Sequence, residues 1–159
     1  MNRRDLIQLV AAGAVCTLVP MAADGAQSTA KNARVRILRL DEPSRFSGLI
    51  YPTDEMQATL NGLKGAERAG IPVMGCIGIP DDGLAPLDRL SHMVSDLAIE
   101  DGWLVGTIKV LDTPDGRTLR TMSKVDFRVC GIGRVDDTTD KVVREYRITT
   151  INAHTDGTT

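Results

Sequence analysis

Residues 87–117 read LDRLSHMVSDLAIEDGWLVGTIKVLDTPDGR, and this stretch decides the architecture. From Leu87 to Ala98 polar and apolar residues alternate, which predicts a strand with Leu90, His92, Val94 and Asp96 on one face and Ser91, Met93, Ser95 and Leu97 on the other. Glu100-Asp101-Gly102 predicts a tight turn into a second strand over residues 103–110, because Asp-Gly suits the left-handed backbone of a hairpin. Thr113-Pro114-Asp115-Gly116 then reads as a helix start, with Thr at the cap, Pro in the first turn and Leu119 and Met122 continuing the helix. Strand, hairpin, strand and short helix in this order point to an antiparallel sheet with peripheral helices.

The flanking sequence repeats that grammar. Upstream, Val35, Ile37 and Leu38 interleave with Arg34, Arg36 and Arg39 as a first strand. After a turn through Asp41-Glu42-Pro43-Ser44, Thr53 can cap a helix of modest length. Asp54 and Glu55 favour its positive end, and Met56, Leu60 and Leu63 form its apolar stripe. Gly62, Gly65 and Gly70 weaken its far end. The apolar run 71–79 predicts a buried strand ending in a turn at Pro80-Asp81-Asp82-Gly83. Downstream, residues 127–135 and 142–153 predict two more strands joined by a polar tip over 136–140. The expected fold is therefore α+β, about six strands and two short helices in a small, mostly antiparallel β-barrel.

Composition narrows the function classes. The chain has 159 residues, 42% hydrophobic and 25% charged, with a net charge of −2, so nucleic acid is not expected as its main partner. Aromatic residues make up only 3%, which nominates Trp103, Tyr51, Tyr146, Phe46 and Phe127 as packing anchors. Cys16, Cys76 and Cys130 match no zinc spacing, and their odd number argues against a disulfide framework. No cofactor or metal is expected. Gly131-x-Gly133 lacks the Lys-Ser/Thr tail of a phosphate loop. Asp136, Asp137 and Asp140 fit no calcium loop and suit an exposed hairpin tip.

The N-terminus admits two readings. Arg3-Arg4, the apolar run 9–19, Pro20 and the small residues Ala22-Ala23-Asp24-Gly25-Ala26 have the parts of a twin-arginine export signal, which would send the chain to the periplasm. Alternatively, residues 5–18 form an apolar helix that docks on a partner and ends at Pro20. The run is too short for a stable membrane span. The expected organisation is an N-terminal segment and linker over 1–33, a domain over 34–154 and a tail over 155–159.

Three segments inside that domain carry a family resemblance. Phe46-Ser47-Gly48-Leu49-Ile50-Tyr51-Pro52 stands where the family has N-x-N-G-R-x-Y-P. Leu87-Asp88-Arg89-Leu90-Ser91-His92-Met93-Val94 is similar to its L-x-R-V-S-H-x-I strand. Leu111-Asp112-Thr113-Pro114-Asp115-Gly116-Arg117 is similar to L-D-T-P-x-G-K, the most specific of the three. In this order they resemble the prohead core (capsid-maturation) proteases of T-even-like tailed phages, a group related in fold to the herpesvirus assemblins. The resemblance implies a closed or partly closed barrel and a place in a phage head.

It also implies where catalysis should sit. The family uses a Ser nucleophile, a His base and a third polar residue, because a hydroxyl attacks only when an imidazole takes its proton. Its G-E-L-D-H-P segment matches Gly75-Cys76-Ile77-Gly78-Ile79-Pro80, which puts Ile79 at the His position. Its Ser falls at Cys130 or Gly131 within Val129-Cys130-Gly131-Ile132-Gly133-Arg134. Its I-D-V-V strand matches Ile151-Asn152-Ala153-His154, so Asn152 replaces a carboxylate. Isoleucine accepts no proton and glycine has no nucleophile, so the resemblance implies an inactive protease.

The expected role is a virion structural protein: a minor capsid, decoration or cement component contacting phage coat or other head proteins, with self-association open. Two alternatives remain at this level: an active maturation protease using Cys130 with His92 or His154, and the exported periplasmic binding domain. Core packing of Cys130 is favoured over reactivity. Cys76 and Cys130 flank the two replaced catalytic positions; a disulfide between them stays open, with two unrelated buried thiols favoured.

Overall fold

The Asp-Gly turn forms as its residues dictate. Asp101 and Gly102 adopt φ of 50° and 73°, the left-handed pair of a tight hairpin turn, and Glu100 faces Trp103 across it. In the computed structural model, which describes residues 7–11, 15–16, 32–68, 70–80, 84–122, 124–136 and 141–155, this turn joins β5 (Leu90–Glu100) to β6 (Trp103–Val110). Around them lie β3 (Asn32–Arg39), α1 (Thr53–Arg68), β4 (Val73–Cys76), α2 (Pro114–Thr121), β7 (Val125–Val135) and β8 (Val143–His154). The Arg3-Arg4 start, residues 26–31 of the linker, the turn over 81–83, the tip over 137–140 and the tail over 156–159 lie outside the described residues.

Two four-stranded sheets result. One runs β3-β6-β5-β4; in the other β7 is central, with β8 on one edge. On its opposite edge lie β1 (Ile7–Ala11) and β2 (Val15–Cys16), antiparallel to β7. Residues 7–11 and 15–16 of the N-terminal segment therefore pair as edge strands, a conformation that neither the docking-helix nor the export reading anticipated. A helix satisfies its backbone internally, whereas these residues satisfy theirs on the edge that β7 offers.

The expected closed barrel is also corrected. Where β4 runs beside β8, the ladder between the sheets is a single parallel bridge, Ile77 with Ala153. Gly78 N–H donates to Ala153 O at 2.8 Å. One step earlier the ladder is interrupted by a side chain. The His92 ring reaches the Ile151 carbonyl, filling the space that Gly75 leaves: a Cβ on Gly75 would sit 2.0 Å from Ile151 O and 2.4 Å from His92 Nε2. On the other side Ile50, which pairs with Pro43 after β3, makes a second parallel bridge to Val142. Ile50 N–H donates to Lys141 O at 2.7 Å and Val143 N–H donates to Ile50 O at 2.9 Å, but among the described residues no strand ladder joins the two sheets there.

The core lies between the sheets and under both helices: Val35, Ile37, Val94 and Ile108 from the first sheet, Val125, Phe127, Val129 and Ile151 from the second, Met56 and Leu60 from α1, and Leu119 from α2. Burying each such side chain contributes roughly 1.5–3 kcal/mol. Two local expectations change. Alternation along β5 holds through Val94, but a bulge between Ser95 and Ala98, with Asp96 at φ 52°, turns Leu97 inward onto the Val94 side. Both residues face the space above Gly106. Helix α1 runs 16 residues, outlasting its glycines, because Met56 and Leu60 are buried and packing outweighs propensity. Its start is held from a distance. Asp41 accepts from Thr53 N–H at 2.9 Å and Thr53 Oγ1–H at 2.6 Å, and these bonds hold the Asp41 carboxyl below its usual range. Thr113 does cap α2, its Oγ1 accepting from Gly116 N–H at 2.9 Å and donating to Leu90 O at 2.5 Å.

Of the five aromatic anchors, Tyr51, Tyr146 and Phe127 are buried. Phe46 and Trp103 instead stack under guanidinium groups, Arg128 with Phe46 and Arg36 and Arg39 with Trp103.

Candidate functional site

Period-two alternation assigns β7 and β8 two distinct faces. Phe127, Val129, Ile151 and Ala153 point into the core. Asp126, Arg128 and Cys130 of β7 stand opposite His154, Asn152 and Thr150 of β8 and form a polar strip. A polar face normally meets water, yet Cys130 and Asn152 are fully buried, and Asp126, Thr150 and His154 nearly so. Two elements cover it. The loop after β3 supplies Arg45, which bridges Asp126 at 3.3 Å, and Phe46, whose ring centre lies 3.7 Å from the Arg128 guanidinium. The end of β4 supplies Cys76.

Asn152 is the hub. Its carbonyl accepts from Cys76 N–H at 3.2 Å and lies 3.5 Å from Cys76 Sγ. Its amide nitrogen donates to Thr150 Oγ1 at 3.0 Å and to Cys130 Sγ at 3.3 Å. A neutral amide carries both donors and acceptors, which a carboxylate at neutral pH does not. Cys76 and Cys130 are free thiols, one at each end of this amide, and burial pushes both thiol pKa values up. Asn152 thus joins two buried thiols, using its carbonyl for Cys76 and its amide nitrogen for Cys130.

Neither imidazole joins this network. His92 is fully buried, and both ring nitrogens are engaged: Nε2 donates to Ile151 O at 2.8 Å, and Nδ1 accepts from the Ser91 hydroxyl at 2.8 Å. A carbonyl can only accept, so the proton resides on Nε2. Burial lowers the His92 pKa to about 4, against the opposing effect of the Ile151 bond. The ring meets Phe127 edge-on at 5.2 Å, and it acts as a clasp between sheets. His154 lies on the strip, but Nε2 has no hydrogen-bond partner among the described residues. Burial, then the Arg128 charge, lower its pKa to about 4. Among the described residues no hydrogen bond joins either ring to Cys130.

The remaining positions singled out by the resemblance separate clearly. Ile79 lies on the loop after β4 and is 44% exposed. Gly131 faces away from the strip: a Cβ there would lie 2.2 Å from Arg147 O and 2.7 Å from the Tyr146 ring. Of the two nucleophile positions, Cys130 is therefore the one directed at Asn152 and Cys76. Among the described residues no three His, Cys, Asp or Glu side chains converge as a metal site, and no helix is long and apolar enough to cross a membrane. Gly75, Asp126 and Arg45 are positions that sequence reading passed over. A glycine inside the apolar run 71–79 was the available sign of a close backbone approach. Nothing local pairs Arg45 with Asp126.

Comparison with solved structures places this arrangement. The bacteriophage T4 capsid assembly protease gp21 superposes with a TM-score of 0.72, covering 96% of this chain and 99% of that one, at 14% identity. The fold is prohead-protease-like. At that identity the likeness is one of fold. No family model and no curated protein matches the sequence. Mostly antiparallel sheets with two short helices agree with the expected class, and the closed barrel does not.

Proposed function

We propose that this protein is a non-catalytic component of a phage head, a minor capsid, decoration or cement protein built on the prohead-protease fold. The observation that carries the loss of catalysis is the setting of Cys130. Burial pushes its thiol pKa up, against the opposing effects of Thr150, Asn152 and the Arg128 charge, and both ring nitrogens of His92 are bonded elsewhere. A thiol attacks as the thiolate, which requires a base or an electropositive setting. Ile79 at the His position and Asn152 in place of a carboxylate agree with this reading. Fold likeness to a capsid assembly protease supports the head as the setting, with coat or other head proteins as partners.

The pairing of residues 7–16 with β7 supports retention of the N-terminal segment over export. Mass spectrometry of purified virions should find the chain with its N-terminal residues 7–16 retained; its absence from particles would sink the structural role. Incubation with coat and scaffold proteins should give no specific cleavage. Cleavage that disappears in Cys130→Ala would establish the alternative, a protease with an altered Cys/His site.

A further inference from the structure

Strand β7 is central in its sheet only because the N-terminal segment covers one of its edges. Residues 7–11 pair with 129–133, and residues 15–16 with 125–126. Both pieces pair with β7 alone among the described strands, at the end of the sheet order. Remove them, and β7 presents a row of unpaired N–H and C=O groups, which is a template for another strand. Residues 17–31 connect this edge strand to β3. That length reaches roughly 50 Å when fully extended, whereas a domain of this size has a radius of gyration of about 15 Å.

We infer that the β7 edge is a strand-acceptor site whose occupant is residues 7–11 and 15–16 of a second copy of this chain. The same backbone register serves in cis and in trans, so exchange between copies preserves every ladder bond and alters only which chain supplies them. Such exchange needs no surface beyond those each copy already carries. Tethering favours the cis strand in dilute solution and high local concentration favours the trans strand. A second copy is the fitting partner because every copy carries a strand already matched to this edge. The inference rests on the backbone pairing and stands apart from the head-protein reading.

Gln8 faces Ile132 in the register, and Ile132 is 41% exposed, so a disulfide between these positions reports the pairing without entering the core. In a Cys16→Ala background, one full-length chain carries Gln8→Cys and another Ile132→Cys. Mixed at high concentration under mild oxidation, they should give a disulfide-linked heterodimer on non-reducing gels. It should form severalfold more than when Ile132→Cys is replaced by Leu87→Cys, a fully surface control at 88% exposure. A heterodimer no more abundant than that control, with the Gln8→Cys/Ile132→Cys double variant linking only within one chain, would overturn exchange. A double variant that links neither within nor between chains would overturn the β7 acceptor site itself.

Discussion

At the scale of single residues, His92 makes the clearest pH prediction. Its folded-state pKa of about 4 lies below the ordinary 6.5, so the unfolded chain binds a proton that the folded chain excludes. The resulting stabilisation is complete above pH 6.5 and is lost as pH falls through that value towards 4, a loss of roughly 3 kcal/mol from this group. Urea unfolding at stepped pH should show it, with a shallower decline in His92→Gln. NMR titration of the ring at or above pH 5.5 should find it neutral. Gly75 makes a steric prediction. Any Cβ there meets Ile151 O and the His92 ring, so Gly75→Ala should cost at least about 3 kcal/mol and lower the melting temperature sharply. Cys130→Ser should fold yet cleave nothing, because no imidazole is in reach of the new hydroxyl. These roles were only partly legible beforehand. A His on a strand is visible in sequence; its partner, a carbonyl 59 positions away, is not.

At the scale of elements, local chemistry explains the parts that local sequence specifies. The β5–β6 hairpin follows from Asp101-Gly102, and α2 follows from Thr113-Pro114. Thr113→Ala should therefore destabilise by about 1 kcal/mol through the lost cap, with some further loss from the Leu90 bond, measurable as a shift in denaturation midpoint. Elements shaped by distant contacts departed from expectation. Asp41 holds the start of α1 across the loop, packing carries α1 past its glycines, and the Asp96 bulge reverses the side on which Leu97 falls. The N-terminal run shows the same limit most plainly. Its apolar residues suit helix or strand equally, and the strand formed by residues 7–11 and 15–16 depends on the neighbouring edge of β7.

At the scale of the whole molecule, two sheets share one core, and Asn152, His92 and the Ile77–Ala153 bridge hold β4 against β8. Unfolding should consequently be a single cooperative transition. Fluorescence of Trp103, on the first sheet, should coincide with far-ultraviolet circular dichroism of the whole. Asn152→Ala strips a partner from the buried Cys76 N–H and should cost about 2 kcal/mol or more. Divergence of the two probes in the unaltered protein would contradict the shared core.

The sequence by itself determined the strand-rich α+β class, most strand positions, the hairpin and the start of α2. These depend on periodicity, turn chemistry and residue type, all readable within a few positions. Tertiary structure alone decided that the barrel stays open, that the N-terminal run is an edge strand, that Cys130 rather than Gly131 faces the polar strip, and that Asn152 joins two free thiols. Each of these depends on which groups separated by tens of residues come within bonding distance, and no local pattern encodes that distance.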